Sequence, residues 1–327
     1  MFPALMITRD PDYRAAWTQL AESDLPEGEV DVRVRYSSLN YKDALALTGK
    51  GPVVRTFPLV AGIDFAGEVL ADSSGRFAPG DEVILNGWGA GERYWGGLAA
   101  RARVPAAWLV KKPGGLNLRD TMALGTAGYT AALAVGALQR NGVRPQDGEI
   151  VVSGANGGVG GFALALLAAL GYRSVALTRR TQETDYLCRV LGAADVMDAA
   201  EYAQAGKPLS SERWAGGIDS LGSHTLANIC AATRYGGTVA ACGLAQGMDF
   251  PATVAPFILR GVQLAGIDSV MRPLPVREQA WQMLAQCLGG SPVLGQAART
   301  IAPDEVLPAA EAMMAGRLQG RVVVDMG

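Results

Sequence analysis

The sequence predicts an α/β domain with a parallel sheet joined to a mostly β module, and three features carry that expectation. A glycine-rich turn, Ser153-Gly154-Ala155-Asn156-Gly157-Gly158-Val159-Gly160-Gly161, separates the apolar run Ile150-Val151-Val152 from an Ala/Leu-rich stretch. Before about residue 120 the chain reads as short alternating strands broken by Gly, Pro and Asp. After it, longer periodic segments alternate with short apolar runs, the pattern of βα units. A length of 327 residues also exceeds the usual size of one domain. The expected division is 1–120 plus 295–327 for the first domain and 121–294 for the second.

Residues 29–38 alternate polar and apolar side chains, as a strand with one wet face should. Further strands are expected near 68–71, 82–85 and 107–111. In the second domain the reading continues with a helix over 159–170 and a strand at 174–177. A helix at 182–191, a strand at 195–197, a helix at 223–232 and a strand at 238–242 follow. The last parallel strand is expected near 262–267, a helix over 276–288, and a closing strand, Gly320 to Asp325, that could return to the first domain.

Composition narrows the function. The 29 basic and 31 acidic residues give a net charge of −2, which supplies no global attraction for nucleic acid or an anionic membrane. No run of 18 apolar residues occurs, and Met1-Phe2-Pro3-Ala4 lacks the pattern of a signal peptide, so a cytoplasmic protein with no membrane partner is expected. Cys188, Cys230, Cys242 and Cys287 are widely spaced and read as free thiols. With His224 as the sole histidine, no metal site is expected.

The turn itself points to a dinucleotide. Gly157 and Gly160 match the latter part of a GxGxxG fingerprint, with Ala155 at the first glycine position. Gly157 would let the backbone approach a pyrophosphate, Gly160 would let helix and strand pack closely, and the helix amino terminus would offer N–H groups. An NAD site places Asp or Glu after the second strand; here Leu177 is followed by Thr178, Arg179 and Arg180. Two guanidinium groups suit a 2′-phosphate, and charge-assisted bonds of about 1.5–3 kcal/mol each would give NADPH at least about a tenfold preference.

Longer stretches carry a family resemblance. Ser37-Ser38-Leu39-Asn40-Tyr41-Lys42-Asp43-Ala44-Leu45, Pro58 to Gly67, Gly80-Asp81-Glu82-Val83, Gly125 to Ala131 and Gly320 to Asp325 resemble the zinc-independent, quinone-oxidoreductase-like branch of the medium-chain dehydrogenase/reductases. More narrowly, they resemble its acrylyl-CoA reductase subfamily. That resemblance implies a GroES-like catalytic domain, a Rossmann domain, an active site in the intervening cleft and a homodimer. Zinc alcohol dehydrogenases read GHE where this chain has Gly62-Ile63-Asp64, a departure that argues against zinc chemistry.

By the same resemblance, Tyr41 would lie beside the nicotinamide, Asn156, Gly157, Gly158 and Val159 at the pyrophosphate, and Thr178, Arg179 and Arg180 around the 2′-phosphate. Leu244, Ile258 and Ser269 would be further cofactor contacts. Relatives carry a basic contact where this chain has Asp198. The implied reaction is reduction of acryloyl-CoA to propanoyl-CoA, with hydride from NADPH to the β-carbon and a proton to the α-carbon. Tyr41 is the expected orienting or donating group, Asn40 could polarise the carbonyl or cap the segment that follows, and Arg93 is the expected substrate contact. An NADPH-dependent quinone or enone reductase is the enzymatic alternative, and a non-catalytic NADPH-binding regulator the other.

Overall fold

The structure is a computed structural model that describes all 327 residues, and the chain forms two compact units. The first comprises Met1–Thr126, Ser269–Ala285 and Ala298–Gly327; the second comprises Ala127–Asp268 and Gln286–Ala297. These limits differ from the expected ones mainly at 269–285, a segment that leads into a helix and whose Arg277 and Trp281 side chains are buried against Asn86 of the first unit.

In the first unit, β1 (Phe2–Thr8) and β2 (Arg14–Leu20) pair as an antiparallel hairpin. Strand β3 (Val30–Leu39) buries Val30, Val32 and Val34 on alternate positions, as the sequence pattern required. The alternation then fails. Register shifts against β5 break the pleat near Val34, and Ser37, Ser38 and Leu39 are all buried. The polar end of β3 is thus carried into the interior, immediately before helix α1 (Tyr41–Thr48).

Strand β4 (Leu59–Val60) joins the hairpin sheet, while β5 (Asp64–Asp72), β6 (Glu82–Asn86), β7 (Arg101–Val104) and β8 (Leu109–Lys111) build the larger sheet with β3. Helix α2 (Leu118–Arg140) is interrupted at Gly125, whose φ of 50° and ψ of −155° are not helical. This helix is long and apolar enough to cross a membrane, but 94% of its apolar window is buried within the protein.

The second unit is built on a six-stranded, fully parallel sheet. Its strands are β9 (Ile150–Ser153), β10 (Ser174–Thr178), β11 (Asp195–Asp198), β12 (Trp214–Asp219), β13 (Thr233–Ala241) and β14 (Gln263–Gly266). Their order, β11-β10-β9-β12-β13-β14, reverses between β9 and β12, which makes the carboxyl ends of those two strands the switch point of a doubly wound fold. Helices α3 (Gly158–Ala169), α4 (Ser223–Ala232) and α5 (Ala255–Arg260) lie in the crossovers. The helix expected over 182–191 is present but irregular: a 3₁₀ turn at Thr181–Glu183 runs through helical Thr184 and Asp185 into a wider π-helical turn at Tyr186–Val190.

Helix α6 (Leu274–Leu288) follows β14, and the chain then adds β15 (Ala298–Ile301) and β16 (Arg321–Asp325) to the large sheet of the first unit. Strand β16 pairs antiparallel with β3, Val322 opposite Leu39 and Val323 opposite Ser38. The expected closing strand is therefore present, and it places Arg321 beside the buried serines.

Candidate functional site

Strand β9 ends at buried Ser153, and the chain turns at Gly154 with φ of +59°, a conformation that favours glycine. The tight turn thus falls one residue before Ala155, the position the fingerprint assigned to it. Gly157 caps α3 and donates its N–H to the Gly154 carbonyl at 2.9 Å. A Cβ on Gly160 would stand 2.4 Å from the Gly154 oxygen, so the close helix approach expected of Gly160 is a geometric necessity. Gly157 is exposed, and Gly158 and Val159 are half-buried. The first N–H groups of this twelve-residue helix have no intrahelical acceptor, which suits an anionic ligand.

The end of β10 is coupled to this turn. Thr178 Oγ1 donates to Asn156 Oδ1, and the Arg180 N–H donates to Thr178 Oγ1 at 3.0 Å. Asn156 Nδ2 donates to Glu183 Oε2 at 2.6 Å, while the other Glu183 oxygen lies 3.3 Å from Arg180 Nη1. Asn156, Thr178 and Arg180 are therefore brought together, and the Asn156 side chain serves this corner. Arg179 is exposed and makes no ion pair. Asp198, at the end of β11, accepts the N–H of Ala200 and closes its own turn.

Sequence reasoning missed the switch point itself. At the end of β12, Asp219 is fully buried; Ser153 Oγ donates to its Oδ1 at 2.6 Å and the Gly222 N–H to its Oδ2 at 2.7 Å. Burial pushes this carboxyl above its ordinary value, and the Ser153, Gly222 and Leu221 bonds oppose the rise. Leu244 follows β13 and is 59% exposed; its neighbour Ala245 donates to the Ser220 carbonyl beside the same strand end. Ile258 is 72% exposed on α5 and is not joined to this cluster by any of these bonds. Ser269 lies in the first unit, where its carbonyl would stand 3.0 Å from a Cβ on Gly87.

The first unit contains a buried polar network centred on the β3–α1 junction. Asn40 Nδ2 lies 3.1 Å from Asp43 Oδ2, 3.1 Å from Asp64 Oδ2 and 3.2 Å from Ser38 Oγ. The Asn40 backbone N–H also donates to Asp43, which fixes the start of α1. Ser38 Oγ donates to Asp64 Oδ1, and the Thr126 N–H, released by the break in α2, donates to Asp64 Oδ2 at 2.8 Å. Arg321 donates to Ser38 Oγ, to the Leu39 carbonyl and to the Ala123 carbonyl. A Cβ on Gly125 would stand 2.7 Å from Arg321 Nη2 and 2.8 Å from Ser38 Oγ.

This arrangement corrects the carbonyl-polarising role expected of Asn40. Its amide hydrogens face buried acceptors, so in this geometry it has no donor left for a substrate oxygen. Two carboxylates meeting in the interior have a further consequence: burial first, and the Asp64 charge second, push the Asp43 carboxyl up to about 7. Burial pulls the Arg321 guanidinium below its ordinary value, while Asp64 and Asp43 favour its charged form.

Tyr41, the first residue of α1, is 53% exposed, directly after the locked Asn40. Lys42 forms an ion pair with Glu92 at 2.7 Å, and Arg93 beside it is exposed. The four cysteines are free thiols; burial pushes Cys230 and Cys242 up to about 12, away from thiolate chemistry. No three His, Cys, Asp or Glu side chains converge in a group that could hold a metal ion.

Comparison with known proteins gives this geometry its context. Residues 26–114 match the Alcohol dehydrogenase GroES-like domain family, and residues 158–286 match the Zinc-binding dehydrogenase family. The chain is 52% identical to the probable acrylyl-CoA reductase AcuI of Escherichia coli, covering 98% of each chain. It is 47% identical to the acrylyl-CoA reductase AcuI of Ruegeria pomeroyi, covering 100% of this chain and 99% of that one. The putative quinone oxidoreductase YhfP of Bacillus subtilis is 42% identical over 100% of this chain and 99% of its own.

Among solved structures, E. coli YhdH with bound NADPH superposes with a TM-score of 0.95 at 52% identity, covering 99% of this chain and 100% of that one. B. subtilis YhfP with NAD bound gives 0.94 at 41% identity, covering 99% of each. Sequence and fold agree: the chain belongs to the medium-chain dehydrogenase/reductase superfamily, in the quinone-oxidoreductase-like branch that contains the acrylyl-CoA reductases.

Proposed function

We propose that the protein reduces acryloyl-CoA to propanoyl-CoA with NADPH, adding hydride at the β-carbon and a proton at the α-carbon. The observation that carries this reading is the 47–52% identity, from end to end, with two proteins named acrylyl-CoA reductase. The cofactor assignment is supported by the basic corner at the end of β10, where Arg179 is exposed and unpaired and Arg180 is held by Thr178 and Glu183. NADPH, when bound, supplies the hydride.

The residues present fit that cofactor. Gly157, Gly158 and Val159 at the start of α3 would offer backbone N–H groups to the pyrophosphate, with Asn156 fixing the turn from beneath. Thr178, Arg179 and Arg180 would take the 2′-phosphate, and Leu244, Ile258 and Ser269 are retained as proposed apolar and polar contacts. At the reacting end, the Tyr41 phenol is the proposed group that orients the reactants or donates to the thioester oxygen as enolate charge develops. Asn40, turned inward, acts through Tyr41 by holding the start of α1, and water supplies the α-proton. Arg93 is the proposed substrate contact.

The same reading places the protein in the cytoplasm, where its four thiols would stay reduced. It also makes the protein a homodimer. Strand β14 ends its sheet with Leu264 exposed, and Val254, Ile258 and Leu259 expose further apolar surface before it. The first unit is the proposed catalytic domain and the second the proposed cofactor domain.

The 42% identity with a putative quinone oxidoreductase supports a second reading, reduction of quinones or simple enones. One assay separates them. Purified protein with NADPH deuterated at the transferable position should convert acryloyl-CoA to propanoyl-CoA labelled at the β-carbon. Quinone or enone turnover without thioester product would establish the second reading instead, and tight NADPH binding with no oxidation by any acceptor would leave a regulator.

A further inference from the structure

We infer that Arg55 and Arg93 form a phosphate clamp for the nucleotide end of a CoA thioester, an inference that rests on the acryloyl-CoA reading above. The two arginines come from separate segments and are pinned together through the backbone. The Arg55 N–H donates to the Glu92 carbonyl at 2.7 Å, and Thr56 Oγ1 donates to the Arg93 carbonyl at 2.8 Å. Both side chains are exposed, and neither makes an ion pair. Glu92, the sequence neighbour of Arg93, is held by Lys42 at 2.7 Å and forms no ion pair with either arginine.

The clamp is attached to the reacting end of the same unit. Lys42 directly follows Tyr41, and its ion pair with Glu92 ties the Arg93 segment to the first turn of α1. The segment is also folded before any ligand arrives. The N–H groups of Arg93 and Tyr94 both donate to the Gly89 carbonyl, Gly91 donates to the Tyr94 carbonyl at 2.8 Å, and the Tyr94 ring meets Trp108 edge-on at 5.0 Å. A preformed loop binds without a large ordering cost.

Paired guanidinium forks match phosphate oxygens, and CoA carries both a pyrophosphate and a 3′-phosphate. A quinone or free enone carries neither. Arg55 and Arg93 thus select the carrier, while Tyr41 faces the acyl group, and a substrate lacking phosphates loses affinity without losing the reacting atoms.

The test compares kcat/KM for acryloyl-CoA, acryloyl-dephospho-CoA and acryloyl-pantetheine in the wild type and in R55Q, R93Q and R55Q/R93Q. The wild type should prefer acryloyl-CoA over acryloyl-pantetheine by about tenfold or more, and the double variant should lose most of that ratio. R55K should keep part of it. A preference lost at dephospho-CoA identifies the 3′-phosphate as the ligand, and one lost only at pantetheine identifies the pyrophosphate; either supports the clamp. A wild type that does not discriminate, or a double variant that keeps the full ratio, overturns it. A wild type that reduces none of the three defeats the acryloyl-CoA reading instead, before any arginine is changed.

Discussion

Arg321 reaches Asp64 only through a hydroxyl: its Nη2 donates to Ser38 Oγ at 2.7 Å, and Ser38 Oγ donates to Asp64 Oδ1 at 2.7 Å. The single buried cation near two buried carboxylates is thus screened by a serine. Substituting Arg321→Met should destabilise the protein by about 3–5 kcal/mol, because Asp43 and Asp64 would keep their burial without a cation. Urea unfolding measures this. Adding Asp64→Asn should recover part of the loss, and a double variant no more stable than the single one would show that charge is not the cause.

The pH dependence of stability follows from Asp43. Its folded value of about 7 lies above its ordinary one, so the native state keeps a proton that the unfolded chain releases. Stability from this group is full below about pH 4 and is lost as the pH rises towards 7, with a slope of at most about 1.4 kcal/mol per pH unit. In Asp43→Asn that slope should vanish from unfolding free energies measured across this range, although one acceptor is exchanged for a donor. A variant that keeps the wild-type slope would locate the proton elsewhere.

At the glycine turn, the clash of a Cβ on Gly160 is with backbone, which cannot rotate away. Gly160→Ala should cost about 1–3 kcal/mol and weaken NADPH binding, whereas Gly114→Ala, where a Cβ meets nothing within 4 Å, should stay within about 0.5 kcal/mol. Thermal melts and NADPH fluorescence titration check both. Equal effects at the two sites would refute the steric account.

Cofactor choice should respond to both signs of charge beside Asn156. Arg179→Ala/Arg180→Ala should lower the NADPH preference over NADH by about tenfold or more. Glu183→Gln should tighten NADPH, because the carboxylate now bonded to Asn156 and Arg180 competes with a phosphate. Dissociation constants for both cofactors decide; parallel losses for NADH and NADPH would remove the arginines from the 2′-phosphate.

Much of this was legible in the sequence because the signals were local. Periodicity located α3 and β10, and the residue after β10 named the basic corner. Strand β12 was not found because Trp214-Ala215-Gly216-Gly217-Ile218-Asp219 has little strand propensity. Its glycines are imposed by packing: a Cβ on Gly216 would stand 2.8 Å from the Thr238 carbonyl, and one on Gly217 2.8 Å from Ile229. With β12 went Asp219, its partner Ser153 and the switch point. Asn40 was read for its amide, but the direction of that amide is set by Asp64, 24 residues on, and Asp64 in turn by the Thr126 N–H, 62 residues further. Such bonds have no local signature.

The position of β16 bears on how the protein is made. The strand lies between β15 and β3, and its Arg321 is synthesised 283 residues after the Ser38 it binds. On a ribosome, the parallel sheet spanning residues 150–266 has every strand available well before then. The first unit, by contrast, must wait with an incomplete sheet and two acidic groups lacking their counterion. Its final assembly is therefore a late, long-range step, and nascent chains stalled before residue 321 should be the protease-sensitive ones.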